Sequence, residues 1–253
     1  MTASEPVRPF PLRLAVLAYG WAAYAFFVKA MVYFVGFSGD IMFKKTVDSG
    51  PAGPWPTAVL VDLGLLLAFF VPHSVMARQR FKDAVFKRFP APVERSTYVL
   101  VASATIAIII AAWRPIPYPV WDLARSPFGS ILRTISMFGW ALSLAGSFSQ
   151  GHRALFGLKP AWDYFRGRPQ EPLRLRTSWL YARLRHPMDL GFLIGVLSAP
   201  RMSAGHLLLA ALFGAYVAIG VRYEERDLEA AHGPAYVAYR KDVPWFGFTA
   251  RKR

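Results

Sequence analysis

The sequence predicts an all-α fold: a polytopic membrane helical bundle of four spans, then a C-terminal helical hairpin and a short cytoplasmic helical tail. Three observations predict it. Of 253 residues, 55% are hydrophobic, and the mean hydropathy of +0.30 lies above that of ordinary soluble domains. The apolar residues gather in runs long enough to cross a bilayer, which takes about 20 residues of helix. Lys and Arg collect in the stretches between those runs.

The elements follow in chain order. The opening segment "MTASEPVRPFPLR" has no cleavage pattern, so the first apolar run is expected to stay in the mature protein. From Leu14 to Gly39 only Lys29 is charged, and from Thr57 to Val71 only Asp62, with the run able to continue to Met76. Neither the stretch between Arg95 and Arg114 nor that between Arg133 and Arg153 carries a charge. These are the four spans. Leu190 to Pro200 is shorter, and at 1.5 Å per residue reaches only about 16 Å. "RMSAG" intervenes before the longer run Met202 to Val221. The two arms read as a hairpin whose first arm starts at Pro187, since proline is well tolerated in a first helical turn. Past Gly233, a predicted helix C-cap, Pro234 starts the short tail helix.

Orientation follows from the short loops. The second loop carries Arg78, Arg80, Lys82, Lys87 and Arg88; the fourth runs from Arg153 to Arg185 and includes Arg174; the tail ends in Arg251, Lys252 and Arg253. These are the basic segments, so both termini are expected in the cytoplasm. The chain reads as one domain over 1–253, with N-terminal spans in 14–150 and the hairpin and tail in 179–248.

The net charge of +15 suits an anionic cofactor and an anionic lipid bilayer. Basic residues dispersed between apolar runs do not form a nucleic-acid stripe, so no nucleic-acid partner is expected. With no cysteine, disulfides, thiolate nucleophiles and cysteine metal sites drop out. There is no H-E-x-x-H either, and no metal site is expected. Oligomeric state is left open.

Polarity concentrates at the ends of the hairpin. Arg185, His186 and Asp189 sit at its entry in "RLRHPMDLGFL"; Glu224 and Glu225 leave it in "VRYEERDLEAAHGPAYVAY". A hairpin brings its ends together, so Arg185 and His186 should approach the two glutamates. Such a set can hold a zwitterion, cation to carboxylate and carboxylate to ammonium. Tyr236 and Tyr239 share one face of the tail by their i, i+3 spacing. Solvated helix ends and an interfacial tyrosine belt explain the same residue types. Asp62 and Lys29, costly inside a span, either pair with each other or face a polar cavity.

The order "RHPMDLG", "EERDL", "GPAYVAYRKDVP" resembles the integral-membrane methyltransferases related to isoprenylcysteine carboxyl methyltransferase and the phospholipid methyltransferases. Upstream, "VDSGPAGP", "HSVMAR", "ERSTYVL", "WRPIP", "ALFGL" and "YFRGRP" look like the bacterial methanethiol S-methyltransferases, which neighbour the NnrU-like membrane proteins. That resemblance covers nearly the whole chain. It implies methylation of a small thiol, methanethiol giving dimethyl sulfide, with S-adenosyl-L-methionine as cofactor, in a bacterial inner membrane. It also implies cofactor contacts from Tyr181, Arg185, His186, Pro187, Leu190, Gly191, Glu224, Glu225, Tyr236 and Tyr239. Asp189, His73 and His152 are the catalytic candidates, as possible acceptors of the thiol proton. The family carries a tyrosine where this chain has Asp189, which can attract the sulfonium, act as base, or mark changed chemistry. A lipid or prenyl-substrate methyltransferase and a non-enzymatic NnrU-like accessory protein are the competing readings.

Overall fold

The computed structural model describes residues 9–170 and 175–245. The readings of residues 1–8, of Arg174 and of the tail beyond Trp245 lie outside the described residues. Ten α-helices occur among the described residues: α1 (Phe10–Gly39), α2 (Trp55–Met76), α3 (Gln79–Phe86), α4 (Ala91–Ala112), α5 (Pro127–Gln150), α6 (His152–Leu155), α7 (Leu158–Phe165), α8 (Pro187–Leu197), α9 (Ala204–His232) and α10 (Pro234–Asp242). A two-stranded antiparallel ribbon joins β1 (Pro119–Asp122) to β2 (Arg201–Ser203).

Five of these helices, α1, α2, α4, α5 and α9, are long and apolar enough to cross a membrane. The chain is therefore a polytopic helical membrane protein with five long candidate spans, which corrects the expected four spans plus hairpin. The physical reason lies in α9. Its 29 residues run without a break from the apolar segment through Glu224 and Glu225 to His232. The residues that follow its apolar part are good helix formers, so the helix carries on to the stop predicted at Gly233. Its partner α8 has only 11 residues, about 16 Å of helix against a hydrocarbon core about 30 Å thick. β2 pairs with β1 at the end of the α5–α8 pair, so the link from α8 to α9 is part of the ribbon and not a free turn.

Proline opens α1, α2, α4, α5, α8 and α10 within the first two positions, where its missing N–H costs nothing. Gly233, at φ +56° and ψ −132°, breaks the chain between α9 and α10. That backbone conformation favours glycine.

The bundle interior is built from Phe34, Phe37, Leu66, Phe69, Ile109, Trp113, Leu209 and Phe213, all buried. Large apolar side chains such as Leu60, Phe128 and Phe138 point outward instead, as lipid-facing positions should. Lipid tails are as apolar as leucine, so close packing and interhelical hydrogen bonds must hold such helices together. The α5–α8 contact shows both. Gly139 and Gly191 bring the two backbones close enough that a Cβ on Gly191 would lie 2.4 Å from the Ser143 nitrogen. Ser136 Oγ donates to the Gly195 carbonyl at 2.7 Å.

Asp62 and Lys29 do not pair. Lys29 is exposed on α1, whereas Asp62 is fully buried and accepts from the Arg114 backbone N–H at 2.9 Å. Asp62 thus secures the turn that leaves α4.

Candidate functional site

His186 is the residue that caps α8, yet its side chain makes no cap hydrogen bond. Pro187 at the first helical position already removes one amide donor, and the imidazole turns towards α9. There its Nε2 meets Glu225 Oε1 at 3.2 Å. A carboxylate only accepts, so this nitrogen carries the proton. Arg185 Nη1 lies 3.2 Å from the same oxygen. The pair is largely withdrawn from water, with side-chain exposures of 12% for Arg185 and 17% for Glu225. Glu225 is thereby fixed between a guanidinium and an imidazole.

The opposite edge of the ring faces two further carboxylates. His186 Nδ1 is 3.6 Å from Asp189 Oδ2 and 3.7 Å from Glu224 Oε2. Asp189 reaches it from one turn along α8, and Glu224 from α9. Burial pushes the His186 pKa down, but Asp189, Glu224 and Glu225 push it up more strongly, so it ends above its ordinary value.

The tail closes over this cluster. The Arg185 N–H donates to the Pro244 carbonyl at 3.1 Å, and the Tyr239 hydroxyl donates to the Tyr181 carbonyl at 2.7 Å. Tyr236 is buried, its ring 5.9 Å from that of Tyr239. Burial raises the pKa of Tyr239 to about 12 and raises those of Tyr181 and Tyr236 as well. All three phenols stay protonated. The Tyr236 hydroxyl and Arg185 Nε are buried with no hydrogen-bond partner among the described residues. Both sit by Glu225, so the cluster keeps donor capacity for a polar ligand.

The predicted residues therefore divide. Tyr181, Arg185, His186, Asp189, Glu224, Glu225, Tyr236 and Tyr239 are brought together, with Pro187 and Leu190 on the first turns of α8. Gly191 faces α5, in the helix–helix contact described above. His73, on α2, bonds through Nε2 to the Tyr98 hydroxyl at 2.8 Å, while its Nδ1 is buried with no hydrogen-bond partner among the described residues. His152 is placed elsewhere. Its Nε2 meets the Tyr24 hydroxyl and its Nδ1 meets Ser147 Oγ, both at 2.8 Å, and its ring stacks on Phe148.

Two aromatic residues beside His73 escaped the sequence reading. Tyr98 comes from α4. Tyr216 comes from α9, stacks on Phe70 at 4.3 Å and shares a hydrogen bond with Ser74 at 3.1 Å. Hydroxyls inside apolar runs were the available signal, since each needs a partner there.

Residues 62–242 match the family described as NnrU protein. The methanethiol S-methyltransferase of Mycobacterium tuberculosis is 41% identical over 238 residues, covering 92% of this chain and 97% of that protein. That of Pseudomonas deceptionensis is 41% identical over 242 residues, 94% and 91% of the two chains. Methanethiol S-methyltransferase 1 of Bradyrhizobium diazoefficiens is 39% identical over 231 residues, 90% and 81% respectively. No solved structure is significantly similar. With identity of this order along nearly the whole chain, the protein belongs to the NnrU family, alongside the bacterial methanethiol S-methyltransferases.

Proposed function

We propose that this protein is an S-adenosylmethionine-dependent thiol S-methyltransferase that converts methanethiol into dimethyl sulfide. The similarity to proteins named for that reaction, sustained over more than nine-tenths of the chain, is the observation that carries the reading. The polar cluster at the α8–α9 junction supports it independently, because its charges and free donors suit a zwitterionic cofactor.

In this reading Arg185 holds the cofactor's carboxylate and Glu225 its ammonium, each in charge-assisted contact. Tyr236 and Tyr239 form the wall behind them, and Tyr181, Pro187 and Leu190 the rim at the start of α8. Gly191 acts at one remove, by letting α8 seat against α5. Bound there, S-adenosylmethionine supplies an electrophilic methyl group. The acceptor reacts as a thiolate, the neutral thiol being a far weaker nucleophile. Of the three proposed proton acceptors, Asp189 is partly exposed beside His186 and His73 keeps one ring nitrogen with no hydrogen-bond partner among the described residues. Both ring nitrogens of His152 are engaged. Fixing donor and acceptor in line contributes through proximity, and excluding water strengthens the surrounding charges.

The basic second and fourth loops support cytoplasmic termini in a bacterial inner membrane, so that the charged cofactor enters from the cytoplasm. The dispersed basic residues also argue against nucleic acid as a partner. The test is headspace dimethyl sulfide from purified protein in detergent, with Glu225→Ala alongside. Product that needs both substrates and falls sharply in the variant is expected. Cofactor binding without product would move the acceptor to lipids or larger thiols, and absence of both would leave an accessory membrane protein.

A further inference from the structure

Away from the α8–α9 junction, a groove of about 800 Å³ opens where α1 and α4 begin. Leu12 on the first turn of α1 and Ala91 at the start of α4 form one part of its wall. The end of α3 with the turn after it forms another, and Tyr164 of α7 a third. Both α1 and α4 are candidate spans, so their first turns lie where a bilayer passes from hydrocarbon to headgroups. This is the membrane end that carries the basic second loop.

The groove does not balance its own charge. Its two carboxylates are engaged: Glu94 pairs with Lys82 at 2.9 Å, and Asp83 accepts from Gln79 Nε2 at 2.8 Å. Lys87 and Arg88 also line it, are exposed, and enter no ion pair among the described residues. The Tyr164 hydroxyl is buried with no hydrogen-bond partner among the described residues, although a buried phenol usually finds one. Next to it Arg13 donates to the Phe165 carbonyl and keeps its Nε buried and unpartnered. Counting Arg13, four cations face two carboxylates. Donors are thus left without acceptors, and phosphate oxygens are acceptors that bind cationic donors strongly.

The groove also has an apolar part, which a small soluble anion would leave in water. The rings of Phe86 and Phe89 lie 6.2 Å apart, and Phe89 and Leu12 are 56% and 39% exposed. On α3, Phe81 and Val85 share one face and Gln79 and Asp83 the opposite one by their i, i+4 spacing. A helix of that make-up lies in the plane of the membrane interface.

We propose that this groove binds an anionic phospholipid of the surrounding bilayer. Its phosphate rests on Lys87, Arg88 and the Tyr164 hydroxyl, and its glycerol and upper acyl chains lie against Leu12 and Phe89. The lipid is a structural ligand and not a methyl acceptor. No residue of this groove belongs to the cluster of Arg185, His186 and Glu225, so the proposal stands apart from the methyltransferase reading.

The test titrates delipidated, full-length protein in detergent with phosphatidylglycerol, counting bound lipids by native mass spectrometry. Retention of one phosphatidylglycerol in preference to phosphatidylcholine is expected. Neutralising both free cations, Lys87→Gln with Arg88→Gln, should weaken it about 30-fold, at about fivefold per basic contact. Tyr164→Phe should weaken it about 10-fold, the size of one hydrogen bond to a charged group. Without lipid that variant should melt no lower than the parent, since it removes an unpaired hydroxyl. Arg125→Gln with Arg133→Gln removes two exposed charges at the opposite membrane end and should bind as the parent does. Equal retention of phosphatidylcholine, or equal loss in both double variants, would reduce the effect to general charge and overturn the site. Displacement of the lipid by millimolar inorganic phosphate, or by a peptide of residues 1–8, would also overturn it, giving the groove to a small anion or to the chain's own start.

Discussion

Replacing Gly191 with alanine should damage both stability and the site, for a reason that can be worked from the backbone. A Cβ at this position would lie 2.4 Å from the Ser143 nitrogen and 2.6 Å from the Gly139 carbonyl oxygen. Both are main-chain atoms of α5, so no flexible side chain can make room and the helices must part. Overpacking of this kind costs about 1–3 kcal/mol. Parting also strains the Ser136 Oγ to Gly195 carbonyl bond of 2.7 Å, worth about 1 kcal/mol. The sum is about 2–4 kcal/mol, or a fall in Tm of about 5–15 °C for a chain of this size. Because His186 caps α8 and Asp189 sits on its first turn, a shift of about 1 Å can lower kcat/KM by as much as 100-fold. Gly64→Ala is the control, with nothing within 4 Å of its Cβ. Alanine there should be neutral or stabilising, by up to about 1 kcal/mol. Thermal melting in detergent and dimethyl sulfide assays on the two variants decide the matter. If Gly191→Ala melts with Gly64→Ala and turns over normally, the close α5–α8 contact is not what seats the site.

Two further perturbations separate structural groups from reactive ones. His152→Phe keeps the stack on Phe148 and leaves Ser147 its bond to the Leu144 carbonyl, but strands the Tyr24 hydroxyl, at about 1–3 kcal/mol for a polar group left buried and unpaired. It should lower Tm while leaving turnover per folded molecule near that of the parent; a collapse of kcat at unchanged Tm would make His152 a proton acceptor after all. Asp62→Ala removes the acceptor for the Arg114 N–H and should destabilise by about 1–3 kcal/mol. Asp62→Asn keeps an oxygen there and should recover most of the loss. Equal melting of the two variants would mean the Arg114 contact contributes nothing.

Much of the bundle is legible in the sequence because span length and charge spacing are set by the bilayer. Pro187 as the start of α8 and Gly233 as the break before α10 follow from backbone chemistry confined to one residue. The fifth long helix reads as the second arm of a hairpin because the run before it is short, whereas it is a full-length apolar helix that runs on to the stop at Gly233. The ribbon was not legible: its strands have four and three residues and lie far apart in the chain. The meeting of Arg185 and His186 with Glu225 follows once the two arms are paired. The locations of His73 and His152 do not, since each depends on which helices happen to pack beside it.

The most direct test of the central claim follows the methyl group itself. Purified protein is given S-adenosylmethionine carrying a deuterated methyl group, together with unlabelled methanethiol, and the headspace is read by mass spectrometry. Dimethyl sulfide with one labelled methyl group, formed at a rate that Glu225→Ala reduces sharply, is the predicted result. A folded, cofactor-binding preparation that yields no labelled dimethyl sulfide would contradict the account.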